Sequence, residues 1–341
     1  MKLRMRMTSL PAILVAALSF SGATVFAEAA SRVMRISVEN SGTHVQVRML
    51  KRFSQRAAEA SGGSLVVELY DGARLFRDAD VVSALSLGKV EMAVPGIWQL
   101  DRYAPDFASL MLPSVYGRTE VDIARVVDTE FGVFLSGILE RTLTIVVLGR
   151  WMELGSAHTF FIGKSVRELR GLRVRVPGGE ANEERIRALG SFAVAIPWPD
   201  LPSILSRGLV DAVVTTYETI LSANLHTFGI GAVLEESHYV GYYVPMINRR
   251  FWESLDDRTR SAVKNAWDAT VEESRIESRT AQANAKKNLL EHGVRLRASS
   301  SSESAVNREK LMLNERSIAE RIHVSDEALD RLHAAFGVRI K

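Results

Sequence analysis

The sequence predicts an α/β protein of two domains that contains one long helix. Strand-like and helix-like stretches alternate along the first hundred residues, which is typical of a mostly parallel sheet with helices on its faces. Residues 256–292 contain neither glycine nor proline and carry apolar residues near helical spacing, so we expect a single helix there. The chain of 341 residues is long enough to divide into two domains.

The N-terminal segment predicts export. A basic start is followed by a largely apolar run over residues 10–26 and a small residue, Ala27, which is the pattern of a secretory signal peptide spanning residues 1–27. An uncleaved membrane anchor is the alternative, but Pro11 and Gly22 interrupt a run that would need about 20 mainly apolar residues to span a bilayer. We therefore expect cleavage after Ala27.

Composition excludes several classes of function. Without cysteine the chain has no disulfide, no thiol catalysis and no thiolate metal site. The formal charge of +3 falls to about neutral once Lys2, Arg4 and Arg6 leave with the signal peptide, so nothing indicates a nucleic-acid or anionic-membrane partner.

The elements can be assigned in order along the chain. In the first domain we expect strands at residues 33–38, 64–69, 91–95 and 142–148, and helices at 46–60 and 78–87. In the second domain we expect strands at residues 160–162, 172–176, 193–196 and 212–214.

The long helix at 256–292 would reach roughly 50 Å, longer than one domain of this size. The alternative is two helices joined by a polar turn near residues 277–280. We expect one or two C-terminal helices within residues 300–341.

An anion site is indicated between residues 169 and 216. Arg173 and Arg175 alternate with apolar residues on one strand, and Arg175 comes last before a Pro-Gly-Gly turn. Strand ends of this kind form the ligand crevice of α/β proteins. The planar guanidinium matches a carboxylate in a bidentate manner, although an arginine on a strand is more often a surface residue.

The order of motifs resembles the C4-dicarboxylate-binding (DctP-like) family of solute-binding proteins, which serve TRAP transporters (tripartite ATP-independent periplasmic transporters). The motifs are G-L-R-V-R-V-P at 171–177, the N-to-L-G helix at 182–190, I-P-W-P-D-L at 196–201 and G-L-V-D-A at 208–212. The similarity extends in the same order from about residue 33 to 292.

The resemblance implies a two-lobed fold like that of periplasmic binding proteins. It assigns residues 31–149 with roughly 216–245 to the first lobe and 150–215 with roughly 246–255 to the second, with helix 256–292 spanning the two. It also implies that Arg175 pairs with the carboxylate of an organic acid in the cleft, and that the protein is periplasmic.

Further candidate ligand-binding residues lie near strand ends. Thr215 occupies a position that contacts ligand in the family, and Trp98 and Asn40 follow strands of the first lobe. The others are Tyr217, Glu218, Trp151 and Tyr242. Each has a plainer alternative: the threonine could satisfy local backbone groups, the tryptophans could belong to the core, Glu218 could be solvated, and either Tyr242 or Tyr243 must face the core.

One position departs from the family pattern. Ala157 stands where many relatives carry a second arginine, which leaves open whether the ligand is a monocarboxylate or a dicarboxylate.

No catalytic or metal pattern was found. The seven histidines form no H-x-x-x-H pair, and nucleophile and phosphate-binding motifs are missing, so no metal or cofactor is implied. We expect a binding protein, not an enzyme, whose partners are a small organic acid and the permease subunits of an ion-gradient-driven transporter. The alternatives are a sensory protein that presents ligand to a receptor kinase and a periplasmic enzyme on the same frame.

Overall fold

A computed structural model of the protein describes residues 31–337. The signal peptide expected over residues 1–27 and the last four residues of the C-terminal segment lie outside the described residues.

The described residues form thirteen strands. They are β1 (Arg32–Ser37), β2 (Leu65–Tyr70), β3 (Met92–Ala93), β4 (Ile145–Val147), β5 (Met152–Ser156), β6 (His158–Ile162), β7 (Arg173–Val176), β8 (Phe192–Ala195), β9 (Ala212–Thr215), β10 (Ile230–Glu235), β11 (Val240–Tyr243), β12 (Met246–Asn248) and β13 (Arg295–Ala298).

The same residues form twelve α-helices. They are α1 (Val45–Ala60), α2 (Val81–Ser86), α3 (Glu120–Val127), α4 (Glu130–Thr142), α5 (Glu180–Ala188), α6 (Leu201–Ser206), α7 (Tyr217–Ser222), α8 (Arg249–Ser254), α9 (Asp257–Glu291), α10 (Ser301–Met312), α11 (Glu315–Arg321) and α12 (Asp326–Ala335). Short 3-10 helices include Ile97–Gln99 and Trp198–Asp200.

The first lobe is built on a five-stranded sheet of order β2–β1–β3–β12–β4. β1 pairs in parallel with β2 and β3, whereas β12 pairs antiparallel with β3 and β4. α1 buries Val47, Leu50 and Phe53 at the helical spacing seen in the sequence, and His44 caps its first turn by accepting a hydrogen bond from the Gln46 N–H.

The second lobe is built on a six-stranded sheet of order β13–β10–β6–β9–β7–β8. β7 pairs in parallel with β8 and β9, so the carboxyl ends of these three strands meet at one edge. Val174 and Val176 of β7 are fully buried, which anchors the strand that carries Arg175.

Two strands carry the chain between the lobes. β5 leads from the first lobe into β6, and β11 leads back from the second lobe into β12; the two crossing strands pair antiparallel. The expected lobe assignment is therefore corrected at two segments. β10, within residues 216–245, pairs with β6 and β13 in the second lobe, and β12, within residues 246–255, pairs with β3 and β4 in the first.

Helix α9 confirms the prediction of one long helix, since its 35 residues run without interruption. It packs on α1 of the first lobe, on the crossing strand β5 and on α7 of the second lobe. Within the segment 277–280, where a break was the alternative, the Ser278 hydroxyl donates to the Leu154 carbonyl of the crossing strand at 2.7 Å. The Gln282 amide, just after that segment, donates to the same carbonyl at 2.8 Å.

Other elements differ from the sequence prediction in extent. The strand expected at 142–148 is reduced to Ile145–Val147 because α4 continues through Thr142. The C-terminal segment forms three helices within the described residues, and β13 before them adds an edge strand to the second sheet. No helix in residues 31–337 is long and apolar enough to span a membrane.

Candidate functional site

A cavity lies between the lobes, where the carboxyl ends of β1, β7 and β9 approach the crossing strands. The first lobe contributes Glu39, Asn40, Asp78, Trp98 and Gln99; the second contributes Arg175, Pro177, Trp198, Val214, Thr215, Thr216 and Thr219; the crossing segments contribute Leu154, Ala157, Tyr239, Gly241 and Tyr243. The free volume is about 30 Å³, so the lobes are closed tightly around it.

Arg175 is the cationic group of the cavity. It is only 2 % exposed, and its Nε and Nη2 groups donate to the Ile196 carbonyl at 3.1 and 2.8 Å. Among the described residues no carboxylate lies within ion-pair distance of its guanidinium. Burial lowers the pKa of Arg175 to about 10, which leaves the side chain charged at neutral pH.

Arg173, two residues earlier on β7, has a different environment. Its guanidinium is exposed and pairs with Asp211 at 3.0 Å at the other end of the strand. The sequence placed these two arginines on one face, and the position along the strand decides which of them reaches the cavity.

The Pro-Gly-Gly turn after β7 brings the second lobe against the first. Gly178 and Gly179 have φ of +119° and +85°, a backbone region that side-chain-bearing residues rarely adopt. A Cβ on Gly178 would lie 3.4 Å from the Trp98 carbonyl oxygen, so the turn packs closely on the first lobe.

Thr215 and Thr216 end β9 at the cavity. Thr216 caps α7 by accepting a hydrogen bond from the Thr219 N–H at 3.3 Å, and Gln282 of α9 donates to its hydroxyl at 3.1 Å. Thr215 lines the cavity one residue earlier. The plainer alternative of local backbone bonding therefore applies to Thr216.

Asn40 and Trp98 form part of the wall on the first lobe. The Asn40 amide donates to Gln46 at 2.7 Å and to the Tyr243 hydroxyl at 2.9 Å, which fixes the loop after β1 against crossing strand β11. The Trp98 ring packs edge-on against Tyr239 and Tyr243. It folds over Gly96, where a Cβ would lie 2.3 Å from the ring.

Two predicted aromatic residues lie in the core instead. Trp151 stacks on Phe107 at 5.4 Å, and its carbonyl accepts from Arg275 of α9. Tyr242 is fully buried and directs its hydroxyl toward Glu153 at 3.4 Å. Because side chains alternate along a strand, it is Tyr243 of β11 that lines the cavity.

Two predicted residues of α7 also lie outside the cavity. The Tyr217 hydroxyl donates to Glu235 at 2.9 Å. Glu218 accepts from the Val45 N–H at 2.9 Å and lies 3.1 Å from His44 Nε2, so it faces the start of α1. The helical turn that begins after Thr216 rotates these two side chains away from the cavity.

The sequence analysis missed a pair of acidic residues in the wall on the first lobe. Glu39 is fully buried, and burial raises the pKa of its carboxyl to about 8, with the nearby negative charge of Asp78 adding to the rise. Asp78 accepts from the Trp198 N–H at 2.8 Å across the cleft and from the Ala79 N–H at 3.1 Å. The only available signal for Glu39 was its position beside Asn40 at a strand end.

Gln99 completes this wall. It is 5 % exposed, and its amide lies close enough to the Glu39 carboxyl for hydrogen bonding between them to oppose the rise in the pKa of that carboxyl. Its amide oxygen has no hydrogen-bond donor among the described residues, so it can accept a hydrogen bond from a ligand in the cavity.

The described residues contain no cluster of three or more histidine, aspartate or glutamate side chains that could hold a metal ion. The cavity therefore offers one guanidinium, two carboxyl groups, amides, hydroxyls and aromatic faces. This set can bind a small polar molecule that bears a carboxylate.

A matching family model and two curated relatives point to solute-binding proteins of the DctP type. The bacterial extracellular solute-binding proteins of family 7 (DctP) match residues 36–319. The C4-dicarboxylate-binding periplasmic protein DctP of Rhodobacter capsulatus is 25% identical over 222 residues, which cover 63% of this chain and 64% of that protein, slightly less than two thirds of its length. The C4-dicarboxylate-binding protein DctB of Bacillus subtilis is 23% identical over 65% of this chain and 63% of its own.

Solved structures share the fold. The sugar acid binding protein DctPAm of Advenella mimigardefordensis, in complex with galactonate, has a TM-score of 0.83 at 19% identity and covers 91% of this chain and 99% of its own. A TRAP periplasmic solute-binding protein of Ralstonia eutropha with bound (S)-2-acetolactate has a TM-score of 0.81 at 20% identity, with coverages of 90% and 99%. The expected two-lobed α/β fold is confirmed.

Proposed function

The chain belongs to the bacterial extracellular solute-binding proteins of family 7, and on that premise we propose that it captures a small organic acid between its lobes and delivers it to a membrane permease driven by an ion gradient. The protein acts outside the cytoplasm after removal of residues 1–27, and it returns its ligand chemically unchanged.

The observation that carries this proposal is the buried guanidinium of Arg175. Removing a charge from water is costly unless a partner compensates it, and the Ile196 carbonyl supplies only a dipole. An arginine has five N–H donors, so several remain for an anion after the two that Ile196 accepts. A ligand carboxylate in the cavity provides the missing charge in bidentate geometry.

The relatives support the same chemistry. Galactonate and (S)-2-acetolactate, bound by the two structural neighbours, each carry a carboxylate. A third neighbour, from Sulfurospirillum deleyianum, holds succinate. The acid group is the feature that all three ligands share, so a carboxylate anchor is the property we carry over to this chain.

Capture couples to closure of the lobes. In addition to the Asp78–Trp198 hydrogen bond, Arg77 pairs with Asp200 at 2.7 Å and the Glu180 N–H donates to Asp101 at 2.7 Å, all across the cleft. Opening breaks these contacts while β5, β11 and α9 continue to join the lobes. The ligand stabilises the closed form because it binds that form more tightly than the open one, and the permease then binds the surface of the closed form.

The test is a thermal-shift screen of the mature protein with succinate, galactonate, lactate, pyruvate and alanine, each beside its amide. At a hundredfold excess over its dissociation constant, a ligand that binds only folded protein stabilises it by about 2.7 kcal/mol. We expect at least one acid to raise the melting temperature and its amide to leave it unchanged.

Two variants make the screen specific. Arg175→Met should abolish the shift without lowering the melting temperature of the free protein, because it removes an uncompensated buried charge. Arg173→Met, on the same strand but paired with Asp211 at the surface, should bind as wild type does. An amide that shifts the protein as much as its acid, or an Arg175→Met variant that still binds, would contradict the proposal.

A further inference from the structure

We propose that the ligand is a small ammonium carboxylate, whose carboxylate binds Arg175 and whose cationic nitrogen lies beside Glu39 and Asp78. This inference rests on the proposed function and specifies the substrate class of the same cavity. It follows from the distribution of charge between the two walls and from the unused hydrogen-bonding capacity beside Glu39 and Asp78.

The two walls carry opposite charge. The second lobe contributes Arg175, whereas the first contributes the carboxyl groups of Glu39 and Asp78, and all three side chains are more than nine-tenths buried. A ligand that spans the cleft with one carboxylate on Arg175 presents its other end to the two acidic groups. A second carboxylate there would meet like charge in a site with little water, whereas a cation would meet compensation.

The unused hydrogen-bonding capacity lies in the same half of the cavity. Asp78 accepts one backbone N–H on each oxygen, and a carboxylate has room for about four donors in all. The Gln99 amide oxygen accepts no hydrogen bond among the described residues, while the amide lies next to the Glu39 carboxyl. The ammonium group of a ligand brings up to three donors, which these acceptors would satisfy.

Proton release provides an independent signature of the cationic end. In the free protein the pKa of Glu39 is raised to about 8, so the carboxyl is mostly protonated at pH 7. The groups that face it or share its cavity are Asp78, Tyr243, Arg175 and Tyr239. A ligand ammonium beside it favours the ionised form, so binding at pH 7 should release a proton from Glu39 and affinity should rise toward pH 8.

The experiment uses matched probes on the mature protein: alanine, β-alanine and 4-aminobutyrate against lactate, 3-hydroxypropionate and 4-hydroxybutyrate, with pyruvate and succinate added. Thermal shift identifies binders, and calorimetry in buffers of different ionisation enthalpy counts protons. The variants are Glu39→Gln, Arg175→Met and, as a matched control, Glu59→Gln, an exposed glutamate of the same lobe.

We expect an amino acid of the series to bind and its hydroxy partner to bind about tenfold or more weakly, since a hydrogen bond to a charged group is lost. Glu39→Gln should weaken that amino acid by a similar factor and remove the proton release, and Glu59→Gln should do neither. A pH profile that rises toward pH 8 in wild type and is flat in Glu39→Gln supports the same assignment.

Two failures can be distinguished. If hydroxy acids, pyruvate or succinate bind through Arg175 and Glu39→Gln leaves them unchanged, the zwitterion is wrong while the organic-acid function stands. If no ammonium carboxylate of the series binds, the proposal of a zwitterionic ligand is also wrong. If binding of every carboxylate is indifferent to Arg175→Met, the proposed function itself fails.

Discussion

The two walls of the cavity differ in construction as well as in charge. The second-lobe wall, Arg175 and Thr215, lies on adjacent strands whose backbone hydrogen bonds fix each side chain. The first-lobe wall, Glu39, Asp78 and Gln99, lies on a loop, on the segment before α2 and on a short 3-10 helix. In the proposed mode of binding, a strand pair holds the anchor for the carboxylate, and irregular segments hold the groups that would discriminate between ligands.

This difference has an energetic side. Arg175 is an unpaired charge that the sheet keeps in place at a cost to stability, whereas Glu39 avoids a comparable cost at neutral pH by keeping its proton. On the proposed mode of binding, the second-lobe wall carries its charge before the ligand binds, whereas Glu39 of the first-lobe wall would ionise only when a cationic group binds beside it.

The largest effect is expected from filling the space beside the first-lobe wall. In Gly96→Ala the new Cβ would lie 2.3 Å from the Trp98 ring, while the backbone at Gly96 is in an ordinary extended conformation. The ring must move, so we expect a loss of about 1–3 kcal/mol in the free energy of unfolding and loss of ligand-induced stabilisation. Urea denaturation and the thermal-shift assay measure the two effects.

Gly137→Ala is the control for this substitution. Gly137 lies within α4, and its Cβ would meet only the flexible end of Arg141 at 3.2 Å. Alanine there should gain up to about 1 kcal/mol from helix propensity. If Gly96→Ala and Gly137→Ala had the same effect on stability, the Trp98 ring could move at little cost and would not be fixed by its neighbours.

The next effect in size is the pH dependence that Glu39 imposes on the free protein. The pKa of Glu39 is about 8 in the folded state and 4.5 ordinarily, so between these values the folded state binds more protons than the unfolded state. Stability should therefore fall as pH rises through this window, by at most about 1.4 kcal/mol per pH unit.

Urea unfolding of wild type and Glu39→Gln at pH 6.5 and pH 8 measures this contribution. Wild type should lose stability relative to the variant on going to pH 8, and Glu59→Gln should follow wild type. Parallel curves for wild type and Glu39→Gln would mean that Glu39 is already ionised, and that the first-lobe wall carries two negative charges before the ligand binds.

The sequence predicted the second-lobe wall far better than the first. Alternation along β7 and the turn that follows it identify Arg175 as a strand-end group, because period-two patterns reflect burial on one face of a sheet. Glu39 and Asp78 lie on irregular segments, where no periodicity links the type of residue to the direction of its side chain. Their positions depend on packing between lobes, which only the folded chain provides.

A similar limit applies where alternation is known but its phase is not. One of Tyr242 and Tyr243 had to face the core, and the sequence could not decide between two adjacent tyrosines. In the structure Tyr239, Gly241 and Tyr243 all line the cavity, so side chains alternate without interruption and packing sets which of them face it. The return of the chain to the first lobe was placed too early in the sequence for a related reason. β10 still belongs to the second lobe because it pairs with β6, about 70 residues away in the chain, and such a distant pairing leaves no local pattern.

The smallest effect is expected from the surface contact between the walls. Arg77 and Asp200 form an ion pair at 2.7 Å across the cleft, but about half of each side chain is exposed, so water and salt screen their attraction. The Asp78–Trp198 hydrogen bond nearby is buried and spans the same cleft. Arg77→Ala should therefore leave the unfolding midpoint within error of wild type and the affinity for a bound acid nearly unchanged.

A double-mutant cycle with Asp200→Ala, at low and at high salt, isolates the coupling between the two side chains. A large coupling that persists at high salt would mean that closure depends on the rim of the cleft. In that case the buried contacts at the cavity would not be what holds the two walls together. A negligible coupling would mean that closure is controlled at the cavity, where we propose that the ligand carboxylate binds Arg175 and the other end of the ligand lies beside Glu39 and Asp78.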